Sequence, residues 1–276
     1  MIAVLQGELF RLRKRAQTWI MPVLASMFIL AYYGIGYTQY RSGSEADRLD
    51  MRQSVQQLSS IFENGMQVWR IVALVMIVVV ASGLIGSEYG WNTLRPLVAR
   101  SASRTDLLSA KWIVVGLYSV FMVVVGVLVS IAASAVVSTA MDANVSLPVM
   151  VWDDMVLGTA RWVVATLPYA AIAFAAALLT RSNAAGIAIG IGVNFAELLL
   201  FGILSNVSSR FTTIMEYGIN WNVQQVVNIT TDDGGTMMDP VSSGQLGKSI
   251  AILTFYCLLA IAGTYLVFTR RDITSG

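Results

Sequence analysis

The sequence has no histidine, a single cysteine, five prolines and little charge, with 12% of its 276 residues being Asp, Glu, Lys or Arg. Without histidine there is no imidazole base, no Ser-His-Asp arrangement and no His metal ligand. A lone Cys257 excludes an internal disulfide and a Cys-rich metal site. Ordinary globular domains carry about 25% charged residues, so a chain of this length has too little charge to cover a water-facing surface, which argues against a soluble enzyme. The net charge of +2 gives no reason to expect a nucleic-acid partner. No G-x-x-x-x-G-K-[ST] phosphate loop occurs, so any ATP chemistry must reside on another polypeptide. No cofactor, metal site or catalytic role is expected on this chain.

Apolar sequence dominates instead, with 56% hydrophobic residues and a mean hydropathy of +0.68. Stretches of about 20 apolar residues, the length that crosses about 30 Å of hydrocarbon, occur at 19–37, 68–86, 112–137, 162–180, 184–204 and 250–269. Lipid offers backbone groups no partner, and the alternation of barrel strands is absent, so helices are expected. The expected fold is therefore all-α: a polytopic membrane protein forming one transmembrane domain over 1–276. The first span follows a basic run but lacks a small-residue cleavage site and reads as retained. The thirteen methionines are scattered and read as gap fillers, not as a soft-metal route.

The charges are sorted. With the N-terminus in the cytoplasm, eleven of the eighteen basic residues fall in inner segments, and eleven of the sixteen acidic residues fall outside. The positive-inside rule then places both termini in the cytoplasm of a multi-pass protein, with the cell membrane as the expected location. At the N-terminus Leu5, Leu9, Leu12 and Ala16 form a helical stripe beside Arg11, Arg13, Lys14 and Arg15. An interfacial amphipathic helix over 1–16 and a plain topology signal are compatible readings of it. Met51, Val55, Leu58 and Phe62 repeat such a stripe outside. The outer segment 205–247 is too long for a structureless connection. Its apolar patches suggest outer or re-entrant helices between spans five and six, with a turn at 232–235. Sequons at Asn144, Asn206 and Asn228 are treated as chance matches to a short pattern.

The inner loop 88–111 is the richest in signal. Glu88-Tyr89, Trp91, Thr93-Leu94-Arg95, Ser103-Arg104 and Leu107-Leu108 before Lys111 resemble the signature loop of type-2 ATP-binding-cassette (ABC) transporter permeases. Asn92 stands where that family commonly has Gly, and Ala102 where it often has Pro. Asn tolerates the left-handed conformation that Gly would supply. The resemblance implies a coupling helix that docks on a separate ATP-binding subunit, which would hold ATP and Mg. It further implies a pair of permease copies, alike or different, and export of a substrate, an amphiphile being compatible with the apolar spans. On that reading Glu88, Tyr89, Trp91, Thr93, Leu94, Arg95, Arg100, Ser103, Arg104 and Lys111 form the docking or coupling set. Charge reversal at Glu88 or Arg104 is then expected to uncouple the protein without unfolding it. From the residues alone, a connector that merely sets topology remains open.

Within the spans, Gly186, Gly190, Asn194 and Glu197 share one helical face. A substrate pathway, a seam between permease copies and simple G-x-x-x-G packing all remain open for it. Gly116, Ser119, Gly126, Ser130 and Ser134 share a face of the third span, which reads as close helix packing. Two rivals to the permease reading are a stand-alone channel or ion-coupled secondary transporter, and a non-transporting membrane anchor or sensor. A single intramembrane acid and the lack of a repeat count against the first.

Overall fold

The structure is a computed structural model and describes residues 1–45, 48–49, 66–100, 103–141, 151–204, 214–227 and 243–270. All the elements described are helices: α1 (Ile2–Lys14), α2 (Ala16–Ser42), α3 (Met66–Gly90), α4 (Leu94–Arg100), α5 (Arg104–Ala140), α6 (Val151–Thr180), α7 (Asn183–Leu204), α8 (Ile219–Val227) and α9 (Ser243–Arg270). The long helices α2, α3, α5, α6, α7 and α9 are each apolar and long enough to cross a membrane, matching the six expected spans. Most run beyond their apolar windows, because a helix continues into the polar interface until a cap or turn stops it. Alternating chain direction puts α1, α4 and the C-terminus of α9 at one end of the bundle and α8 at the other. The stripe at 51–62, the three sequons, the turn at 232–235 and the last six residues lie outside the described residues.

Side-chain size decides the layering. Of the apolar window of α6, 67% is buried, and of α3 56%, against 11% for α7 and 17% for α9. The two central helices carry small residues that let backbones approach closely. Ala170, Ala173 and Ala177 of α6 are fully buried, as is Ala73 of α3. The indole of Trp69 on α3 lies against Gly126 of α5, leaving no room for a Cβ there. Ser119, Ser130 and Ser134 are buried on the same face of α5, in keeping with the packing expectation. Gly116 departs from it and faces open space. Around this centre, α2 packs on α3 and α5, α7 on α3 and α6, and α9 on α6. Trp112 of α5 ties α9 in by donating from Nε1 to Thr264 Oγ1 at 3.1 Å, and its ring tilts on Phe174 at 4.6 Å.

Candidate functional site

At the α1 end, three helices meet on one ammonium group. Lys111, in the second turn of α5, is completely buried, and so needs every donor matched. Its Nζ donates to Glu88 Oε1 at 2.7 Å, to Glu8 Oε2 at 3.0 Å and to the Leu84 carbonyl at 3.0 Å. Glu8 and Glu88 are each 2% exposed. The excess negative charge is met from α1 and its exit. Arg11 donates to Glu8 at 2.6 Å, Arg15 Nη2 lies 3.6 Å from Glu88, and Arg15 Nη1 donates to the Gly83 carbonyl at 2.7 Å. The N-terminal helix, the end of the second span and the start of the third are thus joined by one charged knot.

The structure adds to the reading of α1. Its stripe packs on protein: Leu12 is buried, and Leu5 and Leu9 pack on the core. The helix stops at Lys14, Arg15 is extended, and Ala16 opens α2 as an exposed residue. Phe10 and Ile2 remain exposed beside Arg13 and Lys14. The sequence reading missed Glu8 as a site residue. The available signal was its place at i+3 from Leu5 and i−4 from Leu12, an acid on the apolar face of an otherwise basic helix.

The loop from α3 to α5 is built by local hydrogen bonds. Trp91 N donates to Ser87 O at 2.9 Å, Asn92 N to Tyr89 O at 3.2 Å and Thr93 N to Glu88 O at 3.0 Å, closing a tight turn. Asn92 has φ 54°, the left-handed conformation that Asn tolerates in place of Gly. Beyond residues 101–102, which lie outside the described residues, α5 begins on a capping residue: Ser103 Oγ accepts from Asp106 N at 2.9 Å, and Asp106 complements the helix dipole.

The loop residues divide by exposure. Glu88, Leu94 and Lys111 point inward, Tyr89 packs partly on the core, and Ser103 is spent on its cap. Trp91 is 70% exposed and Thr93 is exposed. Arg104 opens α5 and is half-buried; the side chains of Arg95 and Arg100 lie outside the described residues. Charge reversal at Glu88, expected to uncouple the protein without unfolding it, would set a cation against Lys111 and Arg15 in a buried site, so a loss of stability is expected as well.

At the other end, Glu197 caps α8. Its Oε1 accepts from Ile219 N at 2.8 Å and its Oε2 from Asn220 N at 2.6 Å, satisfying orphan donors of that short helix. Asn222 Nδ2 closes the turn by donating to the carbonyls of Glu216 and Gly218 at 2.8 and 2.7 Å. Toward α9, Lys248 pairs with Glu216 at 3.1 Å, and Tyr256 donates to the Tyr217 carbonyl at 3.2 Å. This short helix is therefore fastened to α7 on one side and to α9 on the other.

The glycines of this face are filled from within the chain. A Cβ on Gly186 would meet Ala177 Cβ at 2.6 Å, and one on Gly190 would meet Ala173 Cβ at 2.7 Å and Val78 Cγ1 at 2.8 Å. Both glycines close on α6, and Gly190 also on α3, which favours the packing alternative at these two positions. Asn194 is half-buried beside Tyr169 of α6. Among the described residues no group of His, Cys, Asp and Glu could hold a metal ion.

The family model described as ABC-2 family transporter protein matches residues 4–197, which include most of α1, the Lys111 knot, the α3–α5 loop and Glu197 itself. No curated protein matches the chain. Six membrane-crossing helices and a match over more than half of the length agree: the chain belongs to the ABC-2 transporter family, as a transport component of the membrane and not as a catalyst.

Proposed function

We propose that the chain is the permease subunit of an ATP-driven exporter, working with a second permease copy and with a separate ATP-binding subunit that holds ATP and Mg. The α1 end faces the cytoplasm on the positive-inside argument, which puts the α3–α5 loop and both termini where a soluble ATPase can reach them. The cargo is an amphiphile taken from the membrane or the cytoplasm. One observation carries the reading: an exposed Trp91 and Thr93 sit on a turn whose root, Glu88, is tied into the buried Lys111 knot. A push on that turn is shared by α1, α3 and α5 without being lost in a loose loop. Interface anchors are enriched in exposed aromatics of this kind, and truncating one typically costs 1 kcal/mol or more, ~fivefold in affinity. Membership of a transporter family weighs against the anchor or sensor reading.

The test is reconstitution with a phosphate-loop protein that copurifies with this chain. Wild type should raise its ATPase rate and move cargo. Trp91→Ala should lower the stimulated rate roughly fivefold or more while leaving thermal unfolding of the purified permease unchanged. Full stimulation by Trp91→Ala would remove the docking assignment. Failure of any phosphate-loop protein to copurify would remove the ATP-driven reading altogether.

A further inference from the structure

The α8 end of the bundle holds a cation with one buried donor, Arg70 Nη1, that no described group meets. Arg70, Leu74 and Val78 fall at i, i+4 and i+8 along α3, and Arg161, Ala165 and Tyr169 do so along α6. Leu74, Val78, Ala165 and Tyr169 pack in one cluster, and Ile219, Val223 and Val226 of α8 cover it. In this apolar setting Arg70 Nη1 is wholly buried and has no hydrogen-bond partner, and Arg70 forms no ion pair among the described residues. Tyr169, 1% exposed, lies within electrostatic reach of it, and the Tyr169 hydroxyl makes no well-aligned hydrogen bond although Asn194 stands beside it. The described carboxylates at this end are committed or distant in kind: Glu197 to the N-terminus of α8, Glu216 to Lys248, and Glu45 to solvent.

A buried guanidinium with an unmatched donor is costly, and charged residues enclosed within membrane proteins mark pathways and binding sites. Its planar donors suit an oxyanion, and a phenol hydroxyl beside it adds a neutral donor. We propose that Arg70 and Tyr169, beneath α8, bind an oxyanion group, the phosphate or carboxylate of an anionic ligand. On the transporter reading, with which this inference shares its relation to cargo, the ligand is an anionic amphiphile, and α8, held by Glu197, covers its head group. Arg161, two turns farther along the same face of α6, adds positive charge on the approach.

The test is a binding isotherm on the full chain in neutral detergent, with no ATPase present. The probes are short-chain phosphatidic acid, phosphatidylcholine of the same chains, and inorganic phosphate. Phosphatidic acid should bind and phosphatidylcholine should not. Arg70→Gln should weaken phosphatidic acid roughly tenfold, and Arg70→Lys less, since charge survives without the fork. Equal affinity for inorganic phosphate would support the site and assign it to a free oxyanion; phosphate much weaker than phosphatidic acid would support a lipid-like source. Equal binding of both lipids, no binding of any probe, or unchanged affinity in a folded Arg70→Gln protein would overturn the proposal. If Arg70→Gln does not fold, Tyr169→Phe carries the test: several-fold weaker phosphatidic acid binding supports it and unchanged binding overturns it. The assay needs no ATP, so its failure leaves the transport reading standing, and failed reconstitution leaves the binding result standing.

Discussion

Lys111 is the residue on which most depends. Its ammonium is fully enclosed and bonds to two carboxylates from different helices. Lys111→Met would leave Glu8 and Glu88 buried together with only Arg11 and Arg15 at their edge, and removing one partner of such a buried set costs about 3–5 kcal/mol. Thermal unfolding in detergent should show a large loss of stability, and adding Glu8→Gln and Glu88→Gln to the same chain should recover part of it. An unchanged melting temperature in Lys111→Met would show that the knot bears little load. Asn92 makes a second, smaller case. At φ 54°, Asn92→Gly should be neutral to about 0.5 kcal/mol, whereas Asn92→Val should cost about 1–3 kcal/mol, because a branched Cβ crowds the left-handed conformation. Equal melting temperatures for the two variants would contradict the strained-turn account. The left-handed turn was legible in sequence, since few residues accept that conformation. The knot was not, because Glu8 and Lys111 are 103 residues apart and nothing local to either names the other.

At the level of elements, helix identity was readable almost throughout and helix surroundings were not. The six spans follow from apolar length alone, and a short helix between the fifth and sixth follows from the length of 205–247. What periodicity cannot say is which neighbour a face meets. The Gly186-Gly190-Asn194-Glu197 face serves two purposes in succession, with glycines closing on α6 and a carboxylate closing on α8. The α1 stripe was seen correctly as amphipathic, and Leu5, Leu9 and Leu12 of its apolar side pack on protein, which periodicity does not reveal. Glu197→Gln should loosen α8 specifically. Losing charge-assisted acceptance from two backbone donors costs roughly 1–3 kcal/mol. Hydrogen exchange at Ile219 and Asn220 should then quicken at least about fivefold, with exchange in α3 and α6 unaltered. Uniform exchange across all helices in that variant would mean that Glu197 supports the bundle generally, not α8.

For the molecule as a whole, the centre is close-packed and the rim is built for lipid or protein neighbours. Phe195, Leu199, Phe255, Leu259 and Leu266 are all more than half exposed on α7 and α9, an arrangement stable only in an apolar medium. Two glycines on α7 separate the regimes. Gly190→Leu would drive side-chain atoms into Ala173 and Val78 and should cost about 1–3 kcal/mol or more through overpacking, while Gly192→Ala, into open space, should be tolerated. Similar melting temperatures for both would mean that α7 sits away from α3 and α6. The separation of Glu8 from Lys111 also sets a clock on biosynthesis. Synthesis at roughly 5–20 residues per second makes the 103 residues between them take about 5 to 20 s. Glu8 waits through that whole interval for the cation, and Glu88, only 23 residues before Lys111, through its last part. The N-terminal helix can therefore dock only after the third span has entered the bilayer, so a ribosome stalled before Lys111 should hold a chain whose first helix is still open to protease.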